Sequence, residues 1–272
     1  GSNGALTLGN NGAAVATTLN PVWMTVDPSG KWLFMVSSSV TALLEYQINT
    51  STGALTLQGQ GTALNISGTG RSTQVYVTPN NQYVYVGLGT SGVDSFAFNS
   101  TSGALSNHLH LAPLASGGPA DNAITADNNS AFLFVGETGK GIRVLTIGSG
   151  GSLQEISGSP FATQLGPTSI VVDPTNSYVY VANQTASVIT GYTLAANGGL
   201  TPLSSSPFTS GTGPVSMSLD STGTYLLVIN SGGSPDLQVF SFDAANPGDL
   251  DSVATAATGT DPAGAVSLAV VP

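Results

Sequence analysis

The sequence predicts an all-β fold, a β-propeller whose blades are four-stranded antiparallel sheets. The first observation behind this prediction is a repeat of two apolar runs joined by a polar turn, as in VWMTVDPSGKWLFMV at 22–36 and SIVVDPTNSYVYV at 169–181. The second is the regular period, because successive copies are 46–51 residues apart. The third is that no segment has a convincing helical pattern. Repeats of this length that are built from strands are typical of propeller blades.

The repeat at 166–208 shows the order of the elements within one blade. Strand a is predicted at 169–172 and ends in the turn 173–176, DPTN, where Asp bonds its own backbone and Pro presets φ. Strand b, at 178–182, is an unbroken β-branched and aromatic run, which is typical of a strand buried on both faces. Strand c, at 187–194, alternates, and a tight turn leads into strand d at 200–203.

The other repeats follow the same plan, and we predict a single propeller domain over residues 1–272. In strand a, the residues one and three positions before the turn are apolar in every copy, which predicts a bulky face that packs against a neighbouring blade. The hairpin between strands c and d carries one glycine in each of five repeats: Gly53, Gly103, Gly151, Gly199 and Gly248. The blades are predicted near 21–60, 72–111, 120–157, 167–204 and 214–254.

The two ends of the chain resemble complementary parts of one further blade. Residues 4–14 match strand d and residues 262–272 match strand a, so this closing blade lacks strands b and c. Three alternatives are open: the two strands precede Gly1 in the natural protein, another chain donates them by strand addition, or a shorter sixth blade closes the ring unaided. Donation repeated head to tail would build a filament. The copies of strand a indicate six blades, or seven if a whole blade is missing.

Charge and composition exclude several classes of function. The net charge is −10, and the chain has only four basic residues, Lys31, Arg71, Lys140 and Arg143. Nucleic acids and anionic membranes are therefore not expected as partners, and no apolar run is long enough to span a membrane. The chain has no cysteine, which excludes disulfides and thiolate metal sites. Scarce Lys and abundant Ser, Thr, Asn and Gly are typical of secreted, cell-surface or periplasmic bacterial proteins.

The strand YVYVAN at 178–183, the turn VDP at 172–174 and the TGALT-type hairpins resemble the YVTN-repeat, lactonase-like β-propellers, which include 6-phosphogluconolactonase-like bacterial proteins. The resemblance covers essentially the whole chain. It implies seven blades and, in the enzymatic members, lactone chemistry by His, Arg and Glu at the mouth of the central channel. This sequence departs from that pattern, because its only histidines, His108 and His110, lie on a predicted outer strand d. No catalytic residue is therefore assigned by position.

The loops that join strand d to strand a and strand b to strand c are predicted to share one rim of the ring, where propellers usually hold ligands. The charged residues of these loops are candidate ligand-binding residues: Arg71, Asp121, Glu137, Lys140, Asp236 and Asp261. The inner strands a offer only uncharged candidates for the channel lining: Trp23, Gln74, Tyr76, Asn122, Thr168 and Ser216. Such a channel supplies neither a general base nor a clamp for an anionic lactone.

Two hypotheses about function follow. The uncharged channel and the incomplete blade favour an extracytoplasmic module for binding, assembly or cell-surface structure, with other protein chains, including copies of itself, as partners. The family resemblance favours instead a lactone hydrolase or isomerase that acts at the channel mouth. His108 and His110 face the same side of a strand and could bind a transition metal, but no third ligand is near in sequence. Neither a metal nor a cofactor is predicted.

Overall fold

The computed structural model describes residues 19–66, 71–114, 121–257 and 268. These residues contain five antiparallel sheets. In every sheet the first four strands pair in chain order, as strands a, b, c and d. The predicted all-β class and the four-stranded antiparallel blades are thereby confirmed. The chain divides into two units, residues 1–118 and 119–272. Within the described residues, no helix has the length and apolar character that crossing a membrane requires.

The first unit contains two blades. Blade one consists of β1 (Pro21–Val26), β2 (Trp32–Ser37), β3 (Ala42–Ile48) and β4 (Leu55–Leu57), with β5 (Thr62–Ala63) also paired to β3. Blade two consists of β6 (Gln74–Val77), β7 (Tyr83–Gly87), β8 (Val93–Phe98) and β9 (Leu105–Leu111).

The second unit contains three blades. Blade three consists of β10 (Asp121–Ala126), β11 (Phe132–Glu137), β12 (Gly141–Ile147) and β13 (Leu153–Glu155). Blade four consists of β14 (Pro167–Val172), β15 (Tyr178–Asn183), β16 (Val188–Leu194) and β17 (Leu200–Pro202), with β18 (Phe208–Thr209) also paired to β16. Blade five consists of β19 (Pro214–Leu219), β20 (Tyr225–Asn230), β21 (Leu237–Phe242) and β22 (Leu250–Ala256).

The four strands predicted in blade four agree with β14–β17 to within two residues. The short strand β18 was not predicted from the sequence. It exists because β17 covers only the end of β16, from Tyr192 to Leu194, and the chain then returns to pair with Val188 and Ile189. Strand β5 pairs with the beginning of β3 in blade one in the same way.

The turn between strands a and b is fixed by its first residue. The Asp27 carboxylate accepts hydrogen bonds from the backbone N–H groups of Lys31 at 2.8 Å and Trp32 at 2.7 Å, and Asp127 and Asp173 make equivalent bonds. The fourth residue of each turn is left-handed, with φ of 56–69°: Gly30, Asn81, Ser130, Asn176 and Gly223. Glycine and asparagine tolerate this conformation best, which explains the DPxG and DPxN patterns.

Apolar side chains join consecutive blades within each unit. In the first unit, Trp32, Phe34 and Val36 of β2 pack against Val75 and Val77 of the next blade, and all five side chains are buried. In the second unit, Val179, Tyr180, Val181 and Ala182 of β15 are completely buried. Strand b is therefore covered on both faces, as its unbroken apolar sequence predicts.

Strand β1 departs from the predicted packing. Met24 and Val26, which correspond to the buried Val75 and Val77 of blade two, are 56% and 49% exposed. The reason is that blade two packs against the opposite face of blade one, the face that carries Trp32 and Phe34. The bulky face predicted for strand a is thus buried in blades two to four and open in blade one.

A ring-on-glycine contact recurs at the blade junctions. The aromatic residue that begins strand b lies directly over a left-handed glycine in the c–d hairpin of the next blade, in the pairs Trp32–Gly103, Phe132–Gly198 and Tyr178–Gly248. A Cβ atom at position 198 would lie only 2.7 Å from Cε1 of Phe132. The glycine predicted at 199 therefore has its structural equivalent one residue earlier, at Gly198.

We predict that Gly198→Ala destabilises the protein by at least about 2 kcal/mol more than Gly139→Ala. Both glycines have positive φ, so both substitutions strain the backbone, but only the Cβ at 198 meets an aromatic ring, that of the half-buried Phe132. Thermal or urea unfolding of the two variants measures the difference. Equal losses of stability would show that the ring contact contributes nothing beyond backbone strain.

We also predict that removing the Glu45 carboxylate stabilises the protein at high pH. Burial on β3 raises the pKa of Glu45 to about 7, so the folded state holds a proton that the unfolded state releases near pH 4.5. Stability therefore falls as the pH rises from about 4.5 to 7. Glu45→Gln abolishes this loss, worth about 1 kcal/mol at pH 8 after solvent screening of a partly exposed group. A melting-temperature difference from the parent that is the same at pH 5 and pH 8 would contradict the prediction.

Candidate functional site

One position on strand c carries a different side chain in each blade. We call it the layer position, and in blades one to five it is occupied by Leu44, Asp94, Arg143, Thr190 and Gln238. In each blade this residue is paired with the fourth residue from the start of the aligned strand b, which is Met35, Val86, Val135, Val181 and Val228 in turn. All five side chains are buried. Buried polar groups are costly unless they are paired, and each polar member has partners within its own unit. The layer position therefore gives each blade an individual chemistry within a shared framework.

In blade three the layer position holds a buried ionic cluster, which we call the charge cluster: Glu137, Arg143 and Glu155. Arg143 Nη1 donates to Glu137 Oε1 at 3.2 Å, and its Nη2 donates to Glu155 Oε2 at 3.3 Å. The side chains of Arg143 and Glu137 are 3% and 1% exposed, whereas that of Glu155 is 27% exposed. Solvent therefore reaches the cluster at Glu155.

Local structure explains why these three residues meet. Strands β11 and β12 form a hairpin whose connection is only Thr138–Lys140, so Glu137 and Arg143 lie near each other at the same end of the sheet. Strand β13 ends at Glu155, beside Arg143. Ser159 then fixes Glu155 by donating to Oε1 at 2.8 Å, while its own Oγ accepts the backbone N–H of Val144.

The structure brings together three of the predicted ligand-binding residues. Asp121 is paired directly with Glu137 across β10 and β11, although only the backbone of Asp121 is described. Lys140 is exposed in the hairpin that follows Glu137, and its backbone N–H donates to the Glu137 carbonyl. Asp121, Glu137 and Lys140 thus surround one end of blade three, next to Arg143 and Glu155, which were not among the candidates.

The remaining candidates lie elsewhere. Arg71 is exposed in the first unit, where its backbone lies against Gly89 in the b–c loop of blade two. Asp236 is buried in the b–c loop of blade five, on a different sheet from the charge cluster. Asp261 lies outside the described residues. Arg71 and Asp236 therefore belong to other sheets than the charge cluster, and the predicted role of all three residues stays a prediction.

The predicted channel-lining residues all lie on strands a, as expected, but their role in a channel stays a prediction. Trp23, Gln74, Tyr76 and Thr168 are half-buried, Ser216 is buried, and only the backbone of Asn122 is described. Two of them make defined bonds: Thr168 Oγ1 donates to the carbonyl of Pro214 at 2.9 Å, and Ser216 Oγ accepts the Leu268 N–H at 3.0 Å.

In blade two, both histidines are bonded to the side chain at the layer position, Asp94. His108 Nε2 and His110 Nδ1 on β9 donate to the two oxygens of the fully buried Asp94, at 2.8 and 2.7 Å, and the Asn65 backbone N–H donates to the same carboxylate at 2.8 Å. The His108 ring also stacks on Phe96, with a centroid distance of 4.4 Å. One ring nitrogen of each histidine is thus bonded to Asp94, and no group of three or more potential metal ligands occurs in the described part of the chain.

Sequence reasoning overlooked Arg143, Glu155 and Asp94. A signal for two of them exists, because Asp94 in VDSFAF and Arg143 in GIRVLTI interrupt otherwise uncharged strands c. A charge in the middle of a strand that is buried on both faces requires a partner. The identity of that partner depends on the register of β9 or β13 with strand c, which one strand's pattern does not contain.

The charge cluster combines the groups that acyl chemistry needs. A carboxylate that water can reach is a possible general base, and a buried guanidinium can stabilise an oxyanion. The corresponding neutral groups in blades four and five, Thr190 and Gln238, offer neither function.

Comparison with known proteins places this geometry in context. A family model described as lactonase, seven-bladed β-propeller, matches residues 70–266, whereas no curated protein matches the chain. Among solved structures, a candidate 6-phosphogluconolactonase from Bacteroides uniformis is 16% identical with a TM-score of 0.73, over 92% of this chain and 75% of that one. The periplasmic gluconolactonase PpgL of Pseudomonas aeruginosa is 17% identical, with a TM-score of 0.65, over 86% and 69%.

A third similar structure is a functionally unknown protein from Desulfotomaculum acetoxidans, 13% identical with a TM-score of 0.70, over 89% of this chain and 71% of that one. At these identities the likeness of the solved structures concerns the fold alone.

Proposed function

We propose, from the premise that this chain belongs to the seven-bladed β-propeller lactonase family, that it hydrolyses lactones and prefers uncharged ones. The observation that carries the proposal is the charge cluster, which lies within the matched residues 70–266. Two of the similar structures carry the names 6-phosphogluconolactonase and gluconolactonase, which supports lactones as the substrate class. A role as a lactone hydrolase is the alternative that the sequence raised, and it has more support than a purely structural role.

The reaction needs no group beyond side chains and water. In the proposed first step, the Glu155 carboxylate takes a proton from water while the water oxygen bonds to the lactone carbonyl carbon. The carbonyl oxygen becomes an oxyanion beside the Arg143 guanidinium. Collapse of this intermediate breaks the ring C–O bond, and the leaving alkoxide takes the proton back from Glu155. The product is the open-chain hydroxy acid, which ionises in water.

Each member of the cluster has a separate role in this proposal. Glu155 is the general base because its side chain is the one that solvent reaches. Glu137 is a positioning residue, since it is buried and binds Nη1 of Arg143, whereas Glu155 binds Nη2. Ser159 orients the base through its 2.8 Å hydrogen bond to Oε1.

Charge is the basis for proposing uncharged substrates. Two carboxylates and one guanidinium give the cluster a formal charge of −1. A phosphorylated lactone would therefore be repelled rather than clamped. Lys140, on the adjoining hairpin, is the one nearby cation within blade three outside the cluster in the described part of the chain.

We predict that the protein accelerates the ring opening of glucono-δ-lactone above its spontaneous rate, and does so better than with the 6-phosphorylated lactone. Glu155→Gln should lower the rate at least about 100-fold, the usual worth of a general base, and Arg143→Lys should lower kcat because the fork of donors is lost. Alkali uptake at constant pH measures the rate.

Thr190→Val is the matched control, because it removes a buried polar group at the same layer position in blade four. Melting temperatures of all variants separate loss of fold from loss of chemistry. A folded parent protein with no rate above the spontaneous one, or a Thr190→Val variant as slow as Glu155→Gln, would overturn the proposal.

A binding or assembly module is the second candidate, and the exposed face of β1 favours it. Val22, Met24 and Val26 are 37%, 56% and 49% exposed on one strand, and such contiguous apolar surface is typical of interaction sites. The occupant that we propose is a second copy of this chain.

We predict that the protein self-associates with increasing concentration and that Met24→Lys reduces this association. Leu57→Lys is the control, since Leu57 is an equally exposed apolar residue of blade one on the outer strand β4. Sedimentation velocity measures both variants. A parent protein that stays monomeric at the highest soluble concentration would contradict the prediction.

A further inference from the structure

The second unit contains a cavity of about 360 Å³ that is not part of the charge cluster. It lies among the a–b turns of blades four and five and the c–d turn of blade five, and we call it the turn pocket: Asp173, Pro174, Tyr178, Phe242, Asp243 and Pro247 line it. The charge cluster lies at the other end of the strands, beside the b–c connection of blade three. The volume of the turn pocket is within the range of small-molecule sites.

The turns of blades four and five lack a side-chain link that the turns of other consecutive blades have. The Asn81 side-chain amide donates to the turn carboxylate of Asp27 in the preceding blade at 2.8 Å, and Asn176 reaches Asp127 in the same way at 3.5 Å. The corresponding residue of blade five is Gly223, with φ of 69°. It has no amide with which to reach Asp173, and a Cβ at this position would clash with Cγ of Pro174, so the proline ring, which lines the pocket, occupies this space.

The walls of the pocket are aromatic and apolar. Two aromatic rings, Tyr178 and Phe242, and two prolines, Pro174 and Pro247, are among the lining residues. Phe242 is supported by the buried Tyr180 ring at a centroid distance of 5.7 Å, and Tyr178 rests on Gly248. Two fixed rings at one cavity provide a surface for an apolar group and for cation–π contact.

The charge of the pocket is negative and uncompensated. Asp243 accepts hydrogen bonds from the Ala245 N–H at 2.7 Å and the Asn246 amide at 2.8 Å. These bonds lower the pKa of Asp243, which is therefore ionised at neutral pH. Asp173 is a second carboxylate among the lining residues, and none of the four basic residues of the chain lies in these turns.

We infer that the turn pocket binds a small organic monocation, an amine that carries one aromatic or branched apolar group. The ammonium lies between Asp243 and Asp173, and the apolar group lies against Tyr178, Phe242 and the two prolines. An anion is disfavoured by both carboxylates, and a neutral apolar compound leaves both of them without a counter-charge. A metal ion would gain nothing from the aromatic walls.

The test uses the whole chain and three probes of one shape: phenethylamine, 2-phenylethanol and 3-phenylpropanoate. Ligand-observed NMR titration should give a Kd of about 1 mM for the amine, which is reasonable for a ligand of this size. The alcohol should bind at least about tenfold more weakly, and the carboxylate should not bind. Added salt should weaken the amine alone.

Two variants examine the two halves of the site. Asp243→Asn keeps an acceptor for the turn and removes the charge, and it should weaken amine binding about tenfold. Ala244→Trp adds a large side chain at an exposed lining residue and should abolish binding without removing any turn contact. Asp251→Asn is the control, because it makes the same change of charge on the exposed strand β22.

The inference is overturned if the amine and the alcohol bind equally, or if Asp251→Asn weakens amine binding as much as Asp243→Asn. It is also overturned if Ala244→Trp folds and still binds the amine. Lactone hydrolysis is measured on the same samples, and Asp243→Asn should leave that rate unchanged, so failure of either proposal can be recognised separately.

Discussion

Within each of the two units, the structure depends on the packing of strand b against the next blade. No single four-stranded sheet can bury its apolar faces alone, and each blade gains its core from a neighbour. In this contact an aromatic ring of one blade lies directly over a glycine of the next blade, as Phe132 does over Gly198 and Tyr178 over Gly248. Because a Cβ cannot enter that space, the glycine fixes how near the hairpin of one blade approaches the ring of the previous one. The apolar clusters of both units are continuous with these contacts.

This framework leaves one buried position per blade free to vary. The layer position on strand c lies away from the ring-on-glycine contact, so it accepts leucine, aspartate, arginine, threonine or glutamine as long as polar side chains find partners. Asp94 finds two histidines, whereas Arg143 finds two glutamates. The same backbone position thus holds a carboxylate bonded by two histidines in blade two and a candidate catalytic cluster in blade three.

The a–b turns show the same division between what is constant and what varies. The turn carboxylate and the left-handed fourth residue recur because they satisfy the backbone locally. The link to the preceding blade varies, because it needs the amide of Asn81 or Asn176, and Gly223 cannot supply one. At the junction that lacks this link, Gly223 packs against Pro174, and both residues line the turn pocket. The two proposed sites therefore occupy opposite ends of the strands and can be tested independently.

The sequence alone determined the strands, the turns, the all-β blades and the family, because alternation, turn chemistry and a 46–51-residue period are local properties. It placed Glu137 and Lys140 near each other for the same reason, since they share one hairpin. Only the tertiary structure decided that Arg143 meets Glu155, that both histidines meet Asp94 and that Asp173 adjoins a cavity. Those contacts depend on the register between strands and on packing between blades, where each partner's position is set by many weak contacts distributed over both sheets.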